Sequence, residues 1–159
     1  MFFGTDSEWF VMPTFRSSKE LKDYIIGKSY QAMQRAEEYV YSLIDLYLQN
    51  FYKDYNPVKY RRTDQLLHSL VKSDIRKSGN GWEAYVYFDF TSLKYETGKK
   101  PSGEQVISAA AKGEHGAEGL HTEQGKYGID VWNEPVEIIN SEFIEKFKEY
   151  LIDAGIPVK

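Results

Sequence analysis

The sequence predicts an α+β fold: a small antiparallel sheet, made of a β-hairpin plus one or two further strands, packed on a long N-terminal helix and a C-terminal helix. Three observations predict it. Apolar residues from Leu21 to Phe51 recur mostly in steps of three and four, the period of one helix face. Residues 71–90 alternate about Ser78-Gly79-Asn80-Gly81, the pattern of a hairpin. Near the end, apolar Phe143, Ile144, Phe147 and Leu151 precede Gly155 and Pro157, the signals of a helix C-terminus. Residues 1–16 read as an N-terminal arm and residues 17–159 as a single α+β domain with a flexible loop around 113–126.

The arm is aromatic (Phe2, Phe3, Trp9, Phe10, Phe15) and is broken by Gly4 and Pro13. It docks either on its own core or on a neighbour, and Trp9 and Phe10 are candidate interface residues because aromatics are enriched in interface cores. The first helix opens at Ser17 with Glu20 three residues on, a capping box. Leu21, Ile25, Ala32, Met33, Ala36, Val40, Leu43, Tyr47 and Phe51 form its stripe. Running to about Tyr55, it is ~55 Å long at ~1.5 Å per residue. Gly27 is its weak point, expected to kink or split it at a cost of ~1 kcal/mol against alanine. Tyr39, Tyr41, Leu46 and Leu48 lie off the stripe, so the helix needs cover on more than one side, from this domain or another subunit.

Asn56-Pro57 ends the helix, because the residue before proline is pushed out of the α region. Thr63 is placed to cap a short helical turn over residues 64–70. In the hairpin, Val71, Ser73 and Ile75 alternate with Lys72, Asp74 and Arg76, and the Asn80-Gly81 pair sits in the turn. Trp82, Ala84, Val86, Phe88 and Phe90 share one face of the returning strand, which the first helix is expected to cover. Ser102 and Gln105 form a second capping box, leading into a short helix that stops at Gly113. Tyr127–Trp132 is read as a further strand and Asn140 as the N-cap of the last helix.

The totals narrow the function. At 159 residues the chain has the length of one domain and buries roughly two-thirds of its unfolded surface. A net charge of −4 argues against a main role in gripping nucleic acid by its phosphates. The absence of cysteine excludes disulfides and thiolate metal sites, and neither a signal peptide nor a membrane span is readable, so a soluble protein made in a cytoplasm is expected. Tyrosine (13) outnumbers phenylalanine (9), which suits half-buried and interface surfaces.

Enzyme chemistry finds little support. Arg62 and His68 have the Arg-x5-His spacing of helical HEPN-type ribonucleases, but that fold is all-helical and a hairpin follows here at once. His115 and His121, with Glu114, Glu118 and Glu123, sit in a glycine-rich stretch that matches no preorganised ligand geometry. The glycines do not form a phosphate-binding pattern. No catalytic residue, cofactor or metal is predicted. Arg61 and Arg62 read instead as caps on the carboxyl end of the long helix, or as organisers of a junction with a neighbour.

The junction carries a resemblance. Tyr55, Pro57, Tyr60, Arg62, Thr63, Leu66 and Ser69 spell Tyr-x-Pro-x-x-Tyr-x-Arg-Thr-x-x-Leu-x-x-Ser. With the long helix before it, the Trp82–Asp89 strand after it and a small-residue helix running into Gly113-Glu-His115-Gly116, this resembles the neck, or tail-completion, proteins of bacteriophages with long flexible tails. The resemblance covers roughly residues 20–150. One departure is Asp64, where such proteins often carry glycine, and it bears on the local turn.

The resemblance implies structural work: a subunit of a ring, hexameric or dodecameric, that joins or completes the tail at the head–tail interface of the virion after synthesis in the bacterial host cytoplasm. The implied partners are further copies of the chain, the connector or head-closure protein, and the tail-terminator or tail-tube protein, with non-specific DNA near the lumen and no membrane. Tyr55, Pro57, Tyr60, Arg61, Arg62, Thr63, Leu66 and Ser69 are then a structural motif, and Trp9, Phe10, His115 and Gly116 candidate interface residues. The alternatives are a tail terminator or minor capsid protein of the same fold, or an Arg62–His68 ribonuclease.

Overall fold

A computed structural model describes residues 13–54, 64–94, 101–112 and 129–158. Along the described chain come α1 (Ser18–Asp54), a 3₁₀ turn (Leu67–Ser69), β1 (Leu70–Lys72), β2 (Arg76–Ser78), β3 (Gly81–Glu83), β4 (Val86–Phe88), a second 3₁₀ turn (Phe90–Ser92), α2 (Gly103–Ala110) and α3 (Asn133–Asp153). The α+β class, with a long N-terminal helix, a C-terminal helix and a small antiparallel sheet, is the one the sequence predicts.

Helix α1 begins where Ser17 says it should. The Ser17 hydroxyl accepts from the Glu20 amide at 3.2 Å and the Glu20 carboxylate accepts from the Arg16 amide at 2.7 Å, so two otherwise orphaned donors are satisfied. Phe15 packs its ring on Tyr24, 5.1 Å between centroids. The helix then runs 37 residues through Gly27 without the expected split. Both sides of Gly27 are tied to other elements: Tyr24 donates its hydroxyl to the Gly155 carbonyl, and the Trp82 indole donates to the Ile26 carbonyl and the Ser29 hydroxyl. Such ties outweigh the ~1 kcal/mol a helical glycine costs.

The apolar stripe needs correction. The buried positions are Ala32, Ala36, Ile44, Leu48 and Phe51. Leu48, expected off the stripe, is fully buried, while Leu21 and Ile25, expected on it, are more than two-fifths exposed (41% and 42%). The reason is that α1 is covered on two flanks rather than along one line. Helix α3 runs antiparallel along one flank, where Arg35 meets Asp153 at 2.7 Å and Tyr39 donates to Glu142 at 3.1 Å. The hairpin lies along the other, where Tyr30 packs edge-on against Trp82 and Lys72 meets Glu38 at 2.6 Å. At roughly 100° per residue, these two sets of α1 positions point about 120° apart around the helix.

The hairpin forms two short ladders in two registers. In the first, Leu70 pairs with Phe88, Val71 with Tyr87 and Lys72 with Val86; in the second, Arg76 pairs with Glu83, Lys77 with Trp82 and Ser78 with Gly81. Ser73 still bonds to Tyr85 through backbone and side chain. Asp74 and Ile75 therefore oppose the single residue Ala84, a β-bulge. The tight turn is Gly79-Asn80 rather than Asn80-Gly81, with Gly79 at φ +57°, the conformation glycine adopts at no steric cost. On the first strand Leu70, not Val71, takes the core position opposite Phe88. The returning strand ends at Phe88. Asp89 caps the following 3₁₀ turn by accepting from the Thr91 amide and hydroxyl, which leaves Phe90 outside the core and exposed.

Helix α2 has the predicted capping box, with Ser102 and Gln105 bonded reciprocally. The expected strand at its partner segment does not form over residues 129–132. Instead the Asp130 carboxylate accepts from the Trp132 and Asn133 amides and so starts α3, while the Val131 amide bonds the Ala110 carbonyl. Helix α3 thus begins at Asn133, seven residues before the expected Asn140 cap; Pro135 fits its first turn, where a missing amide proton costs nothing. Ile144, assigned to its apolar face, is 66% exposed. The far end is as predicted. Gly155 lies at φ +92°, its amide bonds the Ile152 carbonyl and the Ile156 amide bonds the Leu151 carbonyl, a complete Schellman motif.

The apolar core sits over the C-terminal half of α1: Ile44, Leu48 and Phe51 meet Leu66, Leu70, Phe88, Leu93, Ala110 and Val131. Gly103 closes this end tightly, since a Cβ there would come within 2.5 Å of the Phe90 carbonyl oxygen.

Candidate functional site

The motif that carries the resemblance is described in part. Tyr55, Pro57, Tyr60, Arg61, Arg62 and Thr63 lie outside the described residues, as do Trp9, Phe10, His115, Gly116 and the loop around 113–126. Leu66 and Ser69 are described, and both belong to the interior. Leu66 is 4% exposed inside the main cluster. Ser69 has no exposed surface and satisfies itself locally: its hydroxyl donates to the Leu66 carbonyl at 2.7 Å, and its carbonyl accepts from the Asp89 amide at 2.7 Å.

Two further bonds fasten this segment to its surroundings. The Leu67 amide donates to the Tyr52 hydroxyl at 3.3 Å, linking the 3₁₀ turn to the end of α1. The Lys94 amide donates to the Gln65 side chain at 2.7 Å, linking it to the segment just past the second 3₁₀ turn. Residues 65–69 therefore buckle helix and hairpin together. The 3₁₀ turn is shorter than the expected 64–70 turn, and Leu66 stands at its N-cap with no side-chain bond. Asp64 precedes it at φ +54°, the one non-glycine residue with positive φ among those described. That is the left-handed region glycine favours and aspartate tolerates, at the position where the resemblance expects glycine. His68 is exposed on the 3₁₀ turn, and its proposed catalytic companion Arg62 lies outside the described residues.

A second site, which the sequence reading did not single out, lies between α1 and the bulge. Tyr30, Gln34, Glu37, Glu38, Lys72, Ser73, Asp74 and Ile75 line an open cleft of about 400 Å³. Lys72 bridges to Glu38 and lies 5.4 Å from the Tyr41 ring. The hydrogen bond from Lys72 holds the Glu38 carboxyl below its ordinary range, and the same bond raises Lys72. Burial pushes Glu37 the other way, above the ordinary glutamate range, with the Glu38 and Asp74 charges adding to burial and Lys72 opposing it. One Glu37 oxygen is buried without a hydrogen-bond partner among the described residues. The adjacent acids Glu37-Glu38, directly after the buried Ala36, were the available signal. Their partner Lys72 was not readable, because the bulge decides where it points.

The cleft is a polar cross-tie between helix and sheet. Among the described residues no group of three or more His, Asp or Glu side chains is placed to hold a metal ion, and no helix is long and apolar enough to cross a membrane. A family model described as YomN matches residues 17–153, from the cap of α1 to the end of α3. No curated protein and no solved structure matches the chain.

Proposed function

The chain belongs to the YomN family, a phage-derived family that points to a phage protein, and from that premise we propose that it is a structural virion protein of the neck, a ring subunit that joins or completes the tail at the head–tail interface. One observation carries the reading beyond phage origin. The described residues of the neck-protein motif, Leu66 and Ser69, are interior residues of the turn that fastens the end of α1 to the hairpin. A motif spent on the frame of the subunit fits a protein whose work is to hold shape. On this reading the chain has no catalytic role, binds no cofactor, and has as partners its own copies and the head-closure and tail proteins on either side.

Deleting the gene from its phage tests the proposal. The expected particles are DNA-filled heads and separate tails of normal length that do not join, seen by electron microscopy, with joining restored by the protein in trans. Tails of uncontrolled length would move the protein to the tail terminator, and malformed heads to the capsid. Intact infectious particles would reject a neck role altogether.

A further inference from the structure

The apolar stripe of α1 opens to solvent at one end. Leu21, Ile25, Ala32 and Ala36 fall within about 60° of one another at roughly 100° per residue, so they share one face of the helix. Ala32 and Ala36 are buried, whereas Leu21 and Ile25 are 41% and 42% exposed. The chain itself arrives at this open end. Phe15 packs on Tyr24, seven residues beyond the Ser17 cap, so the segment entering α1 is folded back along the helix by about two turns, ~10 Å. Leu21, three residues before Tyr24, is its neighbour on the helix surface, and Ile25 lies one turn above Leu21. The four residues just upstream of Pro13 are Trp9-Phe10-Val11-Met12, an unbroken apolar run.

We propose that Trp9-Phe10-Val11-Met12 packs over Leu21 and Ile25 of its own chain and closes the open end of the stripe. Four extended residues span ~13 Å at ~3.3 Å each, and Leu21 and Ile25 lie ~6 Å apart along α1, so the run is long enough to cover both. Phe15 already stands two turns along the helix, so the same chain reaches the patch without a second copy. Trp9 and Phe10 bring the largest apolar area to the contact, and its removal from water holds the segment down. These two candidate interface residues are then part of the subunit's own frame. The inference does not rest on the ring-subunit reading.

Urea unfolding of the full-length chain tests it through two paired substitutions, Trp9→Ser with Phe10→Ser and Leu21→Gln with Ile25→Gln. Each pair is expected to lower the urea midpoint by about 1 M, and all four changes together to lower it by no more than either pair alone, because both pairs remove the same contact. An unmoved midpoint in the Leu21/Ile25 pair, or shifts that simply add, would overturn the proposal. A second measurement keeps it falsifiable if a variant fails to fold. The chain has no cysteine, so Glu8→Cys with Lys28→Cys supplies the only two thiols, one just upstream of the apolar run and one beside Ile25. Asp23→Cys replaces Lys28→Cys as the control, since Asp23 points about 160° away from both Leu21 and Ile25. A short bis-maleimide is expected to bridge the Lys28 position within one molecule about 10-fold faster than the Asp23 position, as docking raises the local concentration of the thiol. Equal rates would show an undocked tether and overturn the inference. A covalent dimer as the main product would also overturn it and give the patch to the same segment of a second copy.

Discussion

From Ile44 to Phe51, α1 is enclosed by aliphatic and aromatic side chains from the 65–70 buckle, the hairpin, α2 and Val131, whereas from Tyr24 to Tyr41 it is held chiefly by polar ties. In the C-terminal half the buried side chains are large; in the N-terminal half they are Ala32 and Ala36, and the larger Leu21 and Ile25 remain partly in water. The difference teaches where stability resides. Removing apolar surface from water is worth roughly 25 cal/mol per Å², whereas an exposed ion pair contributes a median of about 0–1 kcal/mol. The C-terminal half of α1 should therefore behave as the folding core, and the N-terminal half as an arm positioned by it.

The largest test of that contrast is Leu48→Ala. Leu48 is fully buried in the main cluster, so truncation is expected to cost about 3 kcal/mol, read as a lower urea midpoint with an unchanged slope. A loss under ~1 kcal/mol would mean that the site collapses around the missing atoms, and the contrast would fail. Gly27→Ala probes the other half. A Cβ at Gly27 meets nothing within 4 Å, and the residue is helical, so a gain of up to about 1 kcal/mol is expected in the same measurement. Any destabilisation would show that the arm needs glycine there.

The smallest effect belongs to the cleft. The folded Glu38 carboxyl is held below its ordinary value by Lys72, so its contribution is present above the ordinary glutamate value of 4.5 and is lost as pH falls through the lowered one. The advantage of wild type over Glu38→Gln should shrink as the pH falls below 4.5 and through the lowered value, and its size stays under ~1 kcal/mol because the pair's side chains are 37% and 59% exposed. Glu37 has the opposite sign. Its raised value penalises folding once it ionises, so Glu37→Gln should gain at neutral pH and lose that gain as pH falls through the raised value. Parallel titrations of the two variants would remove the distinction between these neighbours.

Local signals were legible and tertiary ones were not. Ser17, the Ser102–Gln105 box and Gly155-Pro157 act within a few residues of backbone, and each lies where the sequence puts it. Asn140 misled because it looks like a cap in isolation, while the start of α3 depends on Asp130, which also reads as part of a strand. That Leu48 is buried while Leu46 is exposed turns on which two flanks of α1 are covered, and periodicity of one helix cannot say that. In the buckle, Leu66 and Ser69 were visible as a pattern of residues, but their interior role follows from the core cluster around Leu66 and from Asp89, whose amide meets Ser69 only in three dimensions.

The bulge at Asp74-Ile75 has a consequence for how the hairpin tolerates changes of length. From Phe88 back to Trp82 the alternation is unbroken, and this keeps Phe88, Val86, Ala84 and Trp82 on one side, with Trp82 on α1. The extra residue lies wholly on the opposing strand. Losing one residue there would straighten the ladder and leave the indole against Ile26, whereas inserting one between Trp82 and Phe88 would rotate the indole away from the helix. Insertions and deletions are therefore admitted on the outgoing strand and barred from the returning one, so the two strands of a single hairpin are free to drift in length at different rates.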